Sequence, residues 1–173
     1  MGWAHVLAKS ILNIDVFKDW FTWQNQFIVL VLLVYAFVAL WSDVNERRIP
    51  NVYTGIAFVV IMVFQIIFHH FETSSIAVLI LLVTLLPPTL LGLWGQGDWK
   101  MSAVYGAAIG VVPSLVVWLT GYLLIPYLKP ILLRMSSDRL KPTQVKSIPL
   151  AAPITLAMAI AYVVVTIMIY MGW

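Results

Sequence analysis

The chain has no cysteine and few charges, with only 10% of its 173 residues being Asp, Glu, Lys or Arg. Without cysteine, disulfides and thiolate–metal sites are excluded. Soluble domains carry about 25% charged residues. So little charge, with 62% hydrophobic residues and a mean hydropathy of +0.99, excludes a water-soluble globule. The net charge of +3 is dispersed between apolar runs rather than gathered into a patch, so no nucleic-acid partner is expected. The N-terminus lacks a basic stretch followed by a compact apolar run and a small-residue cleavage site, so no removable signal peptide is expected. Val6 breaks the myristoylation pattern after Met1-Gly2.

What the chain does have is long apolar runs without helical or strand period, the mark of helices that face lipid or one another on all sides. The expected fold is an all-α polytopic membrane protein. Residues 1–25 place Trp3, Leu7, Ile11, Ile14, Phe17 and Phe21 at spacings of three and four, with Lys9, Asp15 and Lys18 between them. That pattern predicts an amphipathic interfacial helix. Residues 26–173 form a six-span membrane domain. The spans are expected at about Phe27–Trp41, Val52–His69 and Ile76–Trp94, then a short fourth from Met101, a fifth ending at Lys129, and a sixth over Pro149–Met171. Pro87-Pro88 should break or kink the third, and the fourth and fifth should part near Val112-Pro113. Gly106 and Gly110 form a GxxxG pair suited to close helix approach.

Loop charge orients the chain. Arg47, Arg48, Lys100, Lys129, Arg134, Arg139, Lys141 and Lys146 follow the first, third and fifth spans, whereas the loops after the second and fourth hold no Lys or Arg. The basic loops are therefore cytoplasmic and both termini outside. Trp41, Trp94 and Trp99 would sit in the inner aromatic belt, and Trp20, Trp23 and Trp173 in the outer one.

Asp43 and Asp98 are the acids that stand out. Two complete spans lie between them, and two crossings return the chain to the side it left, so both carboxylates belong to the cytoplasmic side. Carboxylates at a membrane edge are costly to desolvate and usually face a bundle interior, a partner or a watery cavity. Two brought together resist joint ionisation and share a proton. The ionised member then activates a water while the protonated one polarises a carbonyl and protonates the leaving amine. Gly95 and Gly97 beside Asp98 permit unusual backbone conformations and close approach. Asp98 can also serve as an N-cap for the fourth span. Lys100 either anchors the chain at the membrane or helps hold the site. Glu46 is solvated or meets a basic peptide. His69, His70 and Glu72 fall at the opposite face without further ligands, so neither a metal nor any other cofactor is expected.

The residues Asp43 with Ile49-Pro50-Asn51, and Gly95, Gly97, Asp98 and Lys100, resemble the type IV prepilin peptidases, called preflagellin peptidases in archaea. The resemblance extends from about residue 26 onward and includes the six-span layout. Ile148-Pro149-Leu150-Ala151-Ala152 is similar to the family's last-span start, with Leu150 where an aromatic usually stands. This implies an aspartic endopeptidase of the GxGD type, with Asp43 and Asp98 as the catalytic dyad. Its partners would be membrane lipid and the short basic leaders of type IV pilus, secretion or archaellin precursors, cut at the cytoplasmic face of the cytoplasmic (inner) membrane. Lacking cysteines and the room for the extra cytoplasmic segment of larger members, the chain looks like the short form without the methyltransferase segment. Rival readings are a small cation or proton transporter using the same two aspartates, and a non-catalytic assembly factor.

Overall fold

The computed structural model describes residues 22–46, 48–91, 95–136 and 150–171, which form six helices. These are α1 (Trp23–Glu46), α2 (Asn51–Ile67), α3 (Phe71–Leu90), α4 (Gln96–Ile109), α5 (Val111–Ser136) and α6 (Ala151–Tyr170). Among the described residues, Gln24–Glu46, Phe71–Leu90 and Val111–Leu132 are long and apolar enough to cross a membrane. Asn51–Ile67 and Ala151–Ile167 are shorter apolar helices. The amphipathic helix expected over residues 1–25 falls almost wholly outside the described residues, as do Arg47, Trp94, Arg139, Lys141, Lys146 and Pro149.

The helices pack around α4, which has only 14 residues. Met101, Ser102, Val104, Tyr105, Ala107 and Ile109 on it are almost fully buried, because α1, α2, α3 and α5 all lie against it. Ile28, Leu32, Ile61, Leu81, Ile154 and Met158 complete the core around it. The outer helices turn apolar faces outward: Leu30, Val34, Phe37 and Trp41 form an exposed stripe along α1 at helical spacing. An apolar stripe of that length suits lipid rather than water.

Short polar devices end the helices. At the α2–α3 turn His69 takes a positive φ of 59°. Its N–H bonds the Ile66 carbonyl, and that of His70 bonds the Gln65 carbonyl, closing α2 with paired reverse bonds. The His70 carbonyl then accepts from the Thr73 hydroxyl and the Ser74 N–H. This histidine pair thus closes one helix and opens the next at the end of α2 away from Asn51.

Several boundaries differ from expectation. Pro87-Pro88 does not end α3, which continues to Leu90. The pair deprives the Val83 and Thr84 carbonyls of their helical donors, but the Pro87 carbonyl still accepts the Leu91 N–H and the Thr89 hydroxyl bonds the Leu85 carbonyl, so the last turn holds. The chain parts between α4 and α5 at Gly110, with φ 79° and ψ −175°, rather than at Val112-Pro113. Only glycine visits that conformation readily, and Pro113 is accommodated in the first turn of α5, where an N–H would have no helical partner. Of the GxxxG pair, Gly106 alone makes a close approach: an added Cβ would lie 2.7 Å from Leu81 Cδ1, whereas nothing lies within 4 Å of one on Gly110. The fifth helix passes Lys129 and runs to Ser136, with Pro126 and Pro130 inside it.

Candidate active site

The C-terminal end of α1 and the N-terminal ends of α2, α4 and α6 meet at one end of the bundle. Asp43 lies on the last turn of α1 and Asp98 on the first turn of α4. Both are buried, at 9% and 8% exposure, and they lie close enough to act on each other electrostatically. The span-counting expectation of two carboxylates at one end thus matches the geometry.

Each carboxylate accepts a backbone N–H. Asp98 Oδ2 accepts from Gly95, its own helix's N-cap, at 3.1 Å. Asp98 is therefore not the N-cap itself. It stands three residues inside and reaches back to the cap, like the acidic member of a capping box. Asp43 Oδ2 accepts from the Ala151 N–H, the first residue of α6, at 3.0 Å.

The two glycines act through space rather than through conformation. Gly95 has φ −75° and ψ 153°, extended backbone open to any residue, and Gly97 is helical. A Cβ on Gly95 would stand 3.0 Å from Asp98 Oδ2, and one on Gly97 would touch Ile49 at 3.4–3.5 Å. Glycine at 95 thus leaves room for the carboxylate that folds back over it.

Ile49, Pro50 and Asn51 form the link that brings α2 to this end. Buried Ile49 packs beside Gly97. Pro50 is the N-cap of α2 in extended conformation, and α2 begins at Asn51. The Ser42 hydroxyl beside Asp43 donates to the Arg48 carbonyl at 2.8 Å, which holds the link against α1. Lys100 Nζ donates to Asn51 Oδ1 at 2.9 Å, clasping α2 to α4. The Trp99 indole N–H points inward, to the Leu82 carbonyl at 2.8 Å, rather than serving only as a belt residue.

Three participants were not picked out from the sequence. The Tyr35 hydroxyl meets Thr54 Oγ1 at 3.2 Å, the Thr54 hydroxyl also reaches the Pro50 carbonyl, and Tyr35 lies within the electrostatic reach of Asp98. Tyr35 stands eight residues before Asp43, two turns down the same helix face, and that spacing was the available signal. Ala151 takes part through its backbone, for which no side-chain signal exists.

If Lys100 and Asn51 act as one clasp, Lys100→Met and Asn51→Leu should each lower kcat by about tenfold at most, since an exposed hydrogen bond is worth about 1 kcal/mol. The double variant should be no worse than either single one. Cleavage kinetics on the three proteins check this, and additive losses would refute the clasp.

The site thus belongs to a helical protein with membrane-crossing helices and a buried carboxylate pair at one end of its bundle. A model of the type IV leader peptidase family matches residues 30–128, more than half of the chain. The chain belongs to that family, and membership makes it a protease of the leader peptidase type. The matched stretch includes both aspartates and stops short of α6. No curated protein and no solved structure matches the chain.

Proposed function

We propose that the chain is an aspartic endopeptidase that removes short basic leaders from type IV pilin-like precursors, with Asp43 and Asp98 as its catalytic pair. The observation that carries this reading is the meeting of two buried carboxylates, from α1 and α4, within each other's field in a leader peptidase chain. Two such groups hold one proton between them most readily. The ionised aspartate takes a proton from a water as its oxygen attacks the scissile carbonyl carbon. The protonated one hydrogen-bonds the carbonyl oxygen as it gains charge, then gives its proton to the leaving nitrogen as the C–N bond breaks. Each turnover consumes one water and returns the pair to its starting protonation. Ile49, Pro50, Asn51, Gly95, Gly97 and Lys100 hold the two helix ends in register.

On this reading the six helices cross the cytoplasmic membrane and both termini lie outside. The pair faces the cytoplasm, where leaders of membrane precursors remain. The presence of Arg48 and Lys100 at the same end supports that sidedness. The test uses purified protein in detergent or liposomes and a synthetic precursor carrying a basic leader and an apolar segment, with product mass and new N-terminus as the readouts. Wild type should release the leader, and Asp43→Asn should not. Retained cleavage by Asp43→Asn would sink the assignment.

A further inference from the structure

Asp43 stands at the unfavourable end of its own helix. The last turn of α1 presents carbonyl oxygens, whose partial negative charge repels an anion. A compensating donor comes from across the bundle. The Ala151 N–H, 108 positions away in sequence, reaches Asp43 Oδ2 at 3.0 Å in buried surroundings. Asp98 accepts instead from a donor three residues away on its own helix. One carboxylate is therefore oriented locally and the other by a separate helix.

The position of α6 is itself fixed at short range. The Thr155 hydroxyl, one turn beyond Ala151, donates to the Ala36 carbonyl of α1 at 3.1 Å. On the other side Gly121 of α5 lets Ile154 approach so closely that an added Cβ would lie 3.0 Å from its Cα. Ala151 and Ala152 are buried, and their small side chains let the head of α6 come against α1. Backbone of α1 and α5 thus determines where the Ala151 N–H points.

We propose that the Ala151 backbone amide is a positioning group for cleavage: it holds the Asp43 carboxylate towards Asp98, which makes the seating of α6 part of the active site. The inference rests on the dyad reading above. Its reach differs, because α6 lies beyond residues 30–128 where the family match falls.

Ala151 is the first helical residue of α6, and Leu150 before it already accepts the Ile154 N–H at 3.3 Å. Proline suits that position, since its fixed φ fits the first turn and the N–H it lacks is not needed by the helix. Ala151→Pro therefore removes the donor to Asp43 and keeps the intrahelical bonds. A second variant replaces the residue-151 amide with an ester, through incorporation of the α-hydroxy analogue of alanine, and adds no side-chain volume. The same amide-to-ester change at Ile160, exposed farther along α6, is the control.

All are assayed with the same synthetic precursor for kcat and KM, with unfolding temperature measured alongside. The ester variant and a folded proline variant should lose roughly 10- to 100-fold in kcat, as expected of a misplaced reacting group. KM should stay within about twofold of wild type, and the ester at residue 160 should keep kcat within about threefold of wild type. Wild-type kcat in the ester variant, with Asp43→Asn inactive, overturns the positioning role and leaves the dyad standing. An equal fall in the residue-160 ester overturns it too, since general loosening of α6 rather than loss of this donor would then be responsible. Retained cleavage by Asp43→Asn removes the dyad and this inference with it.

Discussion

Asp98→Asn is expected to stop leader cleavage, with kcat falling by about 10³-fold or more, while the protein still inserts and unfolds near the wild-type temperature. The substitution separates chemistry from architecture. The asparagine Oδ1 can still accept the Gly95 N–H that Asp98 Oδ2 accepts at 3.1 Å, so the start of α4 keeps its cap. What is lost is a group that can take and give a proton. Asp98→Ala would be less informative, because it also removes the cap, a change worth about 1 kcal/mol. Cleavage kinetics and thermal unfolding on the same preparation separate the two losses. Cleavage by Asp98→Asn within tenfold of wild type would remove the carboxylate pair from the mechanism.

The second large effect concerns Gly106, two turns along α4 from Asp98. A Cβ there would lie 2.7 Å from Leu81 Cδ1 and 3.3 Å from the carbonyl carbon and oxygen of Ala77. The Leu81 tip can rotate aside, but the Ala77 backbone cannot without moving α3. Gly106→Val should cost about 1–3 kcal/mol, seen as a lower unfolding temperature. Cleavage should fall with it, because displacing α4 carries Asp98 away from Asp43. Leu81→Ala alone opens a cavity costing about 2–5 kcal/mol. Joined to Gly106→Val, it should give less than the summed loss, since the valine occupies space the leucine vacates. Strictly additive losses would show that the two residues do not compete for one space.

The elements legible in the sequence were those set by side-chain type and by parity. Two apolar runs between Asp43 and Asp98 were enough to bring both to one end, and the Ile-Pro-Asn and Gly-x-Gly-Asp strings marked the turns that hold them. Side-chain letters were less informative where backbone decides. Pro87-Pro88 predicts a break or kink, yet α3 carries on two residues past them to Leu90, where the Thr89 hydroxyl and the Leu91 N–H still bond the last turn. Of the two roles open to Gly95, unusual conformation and close approach, it is the second that counts, through the space it leaves to the Asp98 carboxylate. The Ala151 donor was invisible, because an alanine amide carries no mark of the carboxylate it will meet. Tyr35 was within reach of inference, since its spacing from Asp43 places both on one face of α1.

The brevity of α4 has a consequence for how a peptide reaches the pair. Fourteen residues rise about 21 Å, well under the ~30 Å of a bilayer's hydrocarbon. Asp98, in the first turn of α4, is level with the last turn of α1 and the first residues of α2 and α6, so the shortfall lies at the Gly110 end and the pair stays at the rim. Scissile carbonyls in an intact helix are already hydrogen-bonded and turned along its axis, so a precursor can offer one to the pair only after uncoiling locally. The unpaired backbone groups this exposes need partners away from lipid. A short helix that starts level with its neighbours keeps the pair at the rim of the bundle, where a strand-like stretch of substrate and the attacking water can coexist.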